Sequence, residues 1–366
     1  MSLIIHVPKR ELIVNPKAEC PIGGRYHSFT LTKVGADGRP IRGTTRPAMV
    51  RSADGEMRPA GIAHNLLTNY GMNQFATAPH YIGLFYHCRV GTGSTTPAFT
   101  DVALATQRAA SDTSPSVGNA WALRREIGTL PYYYEVDVRR SFAAGTANGN
   151  LTEIGMAASA YGNDLTSRAL ITDIHGDPAT LVVAADEILE VTYTWRVYIP
   201  TTDVTGTTSI KSTAYNWTMR PCGIHQDGTN NYLAGWPANN SGPENYSSYG
   251  PRAYSLSSTV NPTYYASSAA SNGTALGAMN TQPITASSTP SARQFSAQIT
   301  QAYVANSFYL EMIYEWGLDR ANDPALGLWQ FSPGFGSFQF CLDGATVSKN
   351  NTERMRMVLG LSWARA

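Results

Sequence analysis

Residues 189–199 read LEVTYTWRVYI, and their alternation fixes the kind of fold this chain adopts. Leu189, Val191, Tyr193, Trp195, Val197 and Ile199 share one parity, while Glu190, Thr192, Thr194 and Arg196 share the other. Successive side chains of an extended chain point to opposite faces, so the segment has one apolar face and one polar face, as a half-buried antiparallel strand requires. Residues 308–316 (FYLEMIYEW) repeat the device with Phe308, Leu310, Met312, Tyr314 and Trp316. Residues 354–365 (RMRMVLGLSWAR) do so again, Met355, Met357, Leu359, Leu361 and Trp363 alternating with Arg354, Arg356, Gly360 and Ser362.

Further strands are predicted over 132–138, 151–157, 167–173 and 179–183, between the turn sequences GTANGN, YGND and HGDP. The expected fold class is mainly β: antiparallel β-sandwich or jelly-roll-like domains, with one short N-terminal helix and a loop-rich insertion. The helix is predicted over 61–70 (GIAHNLLTNY), where Ile62, Leu66 and Tyr70 line one face and Gly71 follows as its stop.

Composition supports a globular chain. Hydrophobic residues make up 43% of 366, but charged residues only 14%, so the polar surface falls to Ser, Thr, Asn and Gly. With 27 basic and 26 acidic side chains the net charge is +1, which gives no global field to attract nucleic acid or an anionic membrane. The apolar run in MSLIIHVPKRELIV is too short for a signal sequence and no segment reaches membrane-span length; expression in a cytoplasm is expected. Cys20, Cys88, Cys222 and Cys341 lie far apart and form neither a zinc motif nor a disulfide framework, so free thiols are expected.

The organisation expected is an N-terminal β/loop arm over 1–60, a β-sandwich core over 61–200, an insertion or second domain over 201–292, and C-terminal strands over 293–366 that complete the sandwich. Residues 201–292 contain 37 Ser, Thr or Asn and only 6 charged residues, yet two tryptophans and seven tyrosines. Disordered linkers carry more charge and fewer aromatics, so this segment reads as ordered. Tyr215, Trp217, Trp236, Tyr246, Tyr249, Tyr254, Tyr264 and Tyr265 are its candidate contact residues, either packing and subunit contacts or platforms for sugar rings. Packing or subunit contact is the favoured reading, because tyrosine packs its ring and hydrogen-bonds its tip.

Catalytic signals are missing. There is no GxSxG elbow, no HExxH spacing and no cysteine in a nucleophile signature, and the seven histidines are scattered. No enzyme activity, cofactor or metal is expected. Asp173, His175 and Asp177 in TDIHGDP alternate as cation ligands could, but Gly176 and Pro178 make a tight turn the simpler reading.

The glycine-spaced stretch 90–107, VGTGSTTPAFTDVALATQ, invites comparison with a phosphate cradle. A P-loop needs a lysine directly after its last glycine, and a dinucleotide fold needs a third glycine; here Gly91 and Gly93 are followed by Ser94, Thr95, Thr96 and Pro97. The stretch therefore reads as a strand over 85–90, a flexible loop, and a short helix capped by Thr100 or Asp101 and running to Gln107.

Four segments in order, NLLTNYGMNQFA (65–76), VGTGSTTPAFTDVALATQ (90–107), FAAGTANGNLTEIGMAAS (142–159) and SRALITDIHGDPATLVVAADEILEVTYTWRVYIP (167–200), resemble structural proteins of tailed-bacteriophage virions. A looser echo follows in SKNNTERMRMVLGLSWAR near the C-terminus. The resemblance implies a non-enzymatic, β-rich component of the tail, neck, collar or baseplate, made in the host cytoplasm and placed in the virion as a symmetric homo-oligomer. Its implied partners are copies of itself and other virion proteins, without nucleic acid or membrane insertion. Two alternatives stay open: a receptor-binding module that holds a host-surface glycan through the aromatic insertion, and a capsid decoration protein. On the virion reading, GTGSTTP is a connector whose small residues permit close backbone approach, with Glu153 and Arg168 anchoring its neighbouring turns.

Overall fold

The structure is a computed structural model and describes residues 20–21, 28–35, 48–61, 63–77, 85–115, 121–126, 133–198, 203–222, 263–266, 293–294, 298–318, 322–331 and 337–365. The chain is mainly β, and among the described residues its sheets are antiparallel apart from one short parallel pair, Cys20–Pro21 against Trp363 and Ala364.

The alternating segment at 189–199 forms the strand Glu187–Tyr198 at the centre of a five-stranded sheet ordered Ala63–His64, Ser28–Gly35, Glu187–Tyr198, Tyr133–Phe142, Trp121–Glu126. Leu189, Val191, Tyr193 and Trp195 are all buried, while Glu190, Thr192, Thr194 and Arg196 are half-buried on the other face. In register, Val138 and Arg140 of the neighbouring strand oppose Tyr193 and Val191, so one continuous face carries Tyr193, Trp195, Val138 and the buried Arg140. The reverse face pairs Glu135 with Arg196 (2.6 Å) and Asp137 with the Thr194 hydroxyl (2.6 Å), as cross-strand neighbours should.

A second five-stranded sheet runs Leu66–Leu67, Leu165–Leu170, Glu153–Ala157, His87–Gly91, Gln107–Ser111. It meets the first through Phe85, whose ring lies 5.1 Å from Tyr193 and 5.2 Å from Trp195, and through Asn65, which donates to the Tyr193 hydroxyl at 3.2 Å. Arg140 reaches across to donate to the carbonyls of Tyr86 (2.7 Å) and Phe85 (3.5 Å). Cys88, on this sheet, is a free buried thiol whose pKa burial pushes up.

A four-stranded sheet, Gly149–Leu151, Ala179–Val183, Met49–Ser52, Met57–Pro59, flanks these. Two further sheets use the C-terminal half: Met355–Ala364 with Tyr309–Trp316 and Gln298–Tyr303, and a seven-stranded sheet in which Val204–Ile210 and Thr213–Cys222 join Ser337–Leu342 and Asp323–Phe331. The strands expected over 308–316 and 354–365 are thus direct neighbours, Tyr309 to Trp316 pairing with Ser362 to Met355.

Three local expectations are corrected. The helix spans Asn69–Thr77 rather than 61–70, and within 61–70 the chain forms the short strands Ala63–His64 and Leu66–Leu67. Gly71 lies inside the helix, where a Cβ would come 2.5 Å from the Thr166 carbonyl oxygen; close approach to a strand, not a helix stop, demands glycine there. The strand expected over 151–157 breaks at Thr152 into Gly149–Leu151 and Glu153–Ala157, which belong to different sheets. No helix forms over 100–107.

Candidate functional site

Where a helix was expected over 100–107, the chain instead wraps the most densely bonded polar centre among the described residues. Glu153 lies on the central strand of the second sheet and its side chain is fully buried. Its Oε1 accepts the backbone N–H of Gly93 (2.9 Å) and Thr106 (2.7 Å), and Oε2 accepts that of Ala105 (3.0 Å). A helix over 100–107 would need the N–H groups of Ala105 and Thr106 for its own ladder; the carboxylate takes them instead.

Arg168, from the next strand, completes the centre. Its Nε and Nη2 donate to Glu153 Oε2 at 3.0 and 2.8 Å, Nη1 donates to Asp101 (2.7 Å), and Nη2 reaches the carbonyl and hydroxyl of Thr95. Asp101, expected as a helix cap, instead closes the turn at Ala98, accepting its N–H at 2.8 Å. Sequence reasoning thus identified Glu153 and Arg168 as anchors of the loop but assigned Asp101 to the wrong local structure. The loop before residue 100, expected to be flexible, is held at Gly93, Thr95 and Ala98.

The glycines of GTGSTTP make this possible. A Cβ on Gly93 would overlap Glu153 Oε1 and come 2.6 Å from the Ala105 Cβ; one on Gly91 would overlap the Thr106 carbonyl and come 2.7 Å from Glu153 Oε1. Both backbones lie outside the left-handed region, so it is contact, not conformation, that excludes a side chain. Thr152 ties the other side of the loop, its hydroxyl donating to the Gly93 carbonyl at 2.8 Å.

Gly155 holds a second arginine in line. It pairs in register with Arg168 on one side and Arg89 on the other, so both arginines project to the same face with no side chain between them. Leu104, from the end of the loop, packs there with Leu165 and Ala157. Arg89 is fully buried and donates to the carbonyls of Ser159 and Gly162 (2.9 Å each) and to the Asp164 carboxylate, bracing the 158–164 turn. No sequence motif points to Arg89. Its burial is set by carbonyls at Ser159 and Gly162, about 70 positions along the chain, and nothing near residue 89 announces them.

The C-terminus closes the arrangement from outside. Arg365 donates to the Leu67 carbonyl (2.7 Å) and to Asn69 (2.7 Å), and its guanidinium stacks 4.2 Å from the Phe99 ring. Trp363 donates through its indole N–H to the Met72 carbonyl at 2.9 Å.

Asp173 forms a separate polar centre. Oδ1 accepts the N–H groups of His175 (2.9 Å) and Asp177 (3.1 Å), while Oδ2 accepts from the Ser52 hydroxyl (2.5 Å) and Arg58 (3.3 Å). The Ser52 hydroxyl and these donors hold its pKa down, to about 2. His175 and Asp177 are exposed, and the shared feature of TDIHGDP is the tight turn. Among the described residues no group of three or more His, Cys, Asp or Glu is placed to hold a metal ion.

The aromatic candidates are not gathered in the described residues. Trp217 is 2% exposed, its ring lying where a Cβ on Gly206 would come 2.5 Å from it; it packs within its own sheet and is no platform for a glycan. Tyr215 is half-buried on the same strand. Tyr264 and Tyr265 pair in register with Trp329 and Leu328, and Trp236, Tyr246, Tyr249 and Tyr254 lie outside the described residues. No helix among the described residues is long and apolar enough to cross a membrane. No family model matches the chain, and no curated protein or solved structure matches it.

Proposed function

We propose that this chain is a non-enzymatic structural component of a tailed-bacteriophage virion, placed at the tail, neck, collar or baseplate as a symmetric homo-oligomer. One observation carries the reading. The sequence segments that resemble virion proteins are far apart in the chain, yet they meet at one centre: Gly93, Ala105 and Thr106 of the second segment bond to Glu153 of the third, which bonds to Arg168 of the fourth. Thr68 and Gly71 of the first segment meet the strand that carries Arg168, the Thr68 hydroxyl donating to the Leu165 carbonyl at 2.5 Å.

Shared residues that lock a loop across a sheet describe a common scaffold rather than a common active site. Glu153 and Arg168 are buried and bonded to the protein's own donors and acceptors, with Asp101 partly exposed at the edge of the centre. On this reading the two five-stranded sheets are the layers of a β-sandwich, and its low charge density suits broad neutral interfaces between copies.

Gold-labelled antibody on intact particles in the electron microscope tests the proposal. Label at the neck or tail is expected. Label spread over the head would replace it with a decoration role, and particles without label would end the virion reading. A glycan-binding role would need exposed rings, so its probe is Trp236→Ala rather than the buried Trp217, read on a glycan array.

A further inference from the structure

We propose that Lys349 and Asn322 are the two ends of an intramolecular amide crosslink in the mature protein. Lysine is among the residues least often fully buried, yet Lys349 is 2% exposed. It sits at the end of the Val347–Lys349 strand, which pairs with Asp323–Phe331 so that Lys349 lies opposite Asp323. This register places its ammonium 2.8 Å from Asn322 Oδ1. The carboxamide is held from behind, Nδ2 donating to the Leu318 carbonyl at 2.9 Å, so its carbonyl faces the lysine and its nitrogen faces away.

Contact between a buried amine and a fixed, half-buried carboxamide has the proximity that makes an otherwise slow intramolecular reaction feasible. Glu353 lies beside the pair, joined to it through Asn350. Its carboxylate accepts the Asn350 N–H at 3.1 Å, while the carbonyl of Asn350 accepts from Lys349 at 3.3 Å; Lys211 pairs with the same carboxylate at 2.8 Å. Against the upward push of burial, the Lys211 hydrogen bond and the Asn350 N–H chiefly hold the Glu353 carboxyl below its usual range, and the charge of Lys349 adds the smallest share.

In the reaction, the Lys349 ammonium gives up a proton to water at the half-exposed Asn322 and the freed lone pair attacks Cγ of Asn322. The Nζ–Cγ bond forms, the Cγ–Nδ2 bond breaks, and the departing nitrogen takes up two protons, matching the two that Nζ loses. Ammonium and a secondary amide result, with no change of oxidation state and no co-reactant. The link would staple two strands of the seven-stranded sheet without needing the oxidising compartment that a disulfide needs.

The test is the mass of the full-length chain. Loss of ammonia lowers it by about 17 Da relative to the sequence mass. Trypsin then fails to cut after Lys349, leaving residues 321–354 as one peptide closed on itself through Asn322. Lys349→Arg and Asn322→Ala are expected at their full sequence masses. A wild-type chain at its full sequence mass overturns the proposal. So does a lowered mass with normal cleavage after Lys349, which marks a succinimide instead. The proposal stands apart from the virion reading, since neither result depends on where the protein is placed.

Discussion

Glu153 and Asp173 are both fully buried carboxylates, and both spend their oxygens on backbone N–H groups that no ladder satisfies. They differ in reach. Asp173 serves its own turn, collecting His175 and Asp177, and adds the Ser52 hydroxyl and the partly exposed Arg58. Glu153 collects Gly93, Ala105 and Thr106 from a loop about 50 to 60 positions away and is itself held by the buried Arg168. A carboxylate can cap a turn readily because the donors are already adjacent; fixing a long loop requires the carboxylate to be fixed first, and here a buried arginine does that.

If reach is what separates the two, the largest loss is expected at Glu153. Glu153→Ala takes the acceptor from three N–H groups and leaves Arg168 with Asp101 as its charged partner among the described residues. A loss of about 3–5 kcal/mol follows, the range for removing one member of a buried pair. Urea denaturation measures it; a midpoint unchanged from wild type would mean that the loop is not held from this carboxylate.

Gly93→Ala attacks the same centre from the loop. The added Cβ overlaps Glu153 Oε1 and crowds Ala105, so the carboxylate must shift from its donors. Overpacking of this kind costs about 1–3 kcal/mol. The two substitutions touch the same atoms, so the double variant is expected to lose less than the sum of the single losses.

The strands around these centres were legible in the sequence because alternation is local: residues 189–199 display their buried face without any knowledge of the partner strand. The loop was misread over 100–107 because the information lies elsewhere. A threonine or aspartate before an alanine-rich run does signal a helix, but the N–H groups that would build it belong to Glu153, and nothing near residue 105 in sequence announces that. The helix over 61–70 failed for a related reason, since Ile62, Leu66 and Tyr70 keep helical spacing while the backbone between them pairs with separate sheets. At the candidate site, Glu153 and Arg168 were picked out as anchors of the turns beside GTGSTTP by their proximity in sequence. Arg89 and Arg365 were not, because each is defined by carbonyls contributed from remote segments.

Asp173 gives a smaller and pH-dependent effect. Its pKa is depressed in the folded chain to about 2, against about 3.9 unfolded, so the ionised form contributes stability fully above pH 5. That contribution fades as pH falls from about 4 through about 2. Asp173→Asn is therefore expected to be less stable than wild type at pH 7, with the difference shrinking in acid as wild-type Asp173 takes up its own proton. Thermal melts across pH 2 to 7 would show the two curves converging; parallel curves would mean that the charge of Asp173 adds nothing to its turn.

The smallest effect separates the two kinds of glycine on which the centres depend. Gly176, in the Asp173 turn, has φ +88° and nothing within 4 Å of where a Cβ would sit, so Gly176→Ala carries only the cost of a left-handed backbone, about 1–2 kcal/mol. Asparagine visits that region more readily than alanine, so Gly176→Asn is expected to be milder than Gly176→Ala. At Gly93 the order reverses, because the limit there is space and asparagine is larger. Measuring all four variants by urea midpoint decides between the two causes: the same ranking at both positions would remove the distinction, and opposite rankings would establish that one glycine serves a turn and the other serves contact with a buried carboxylate.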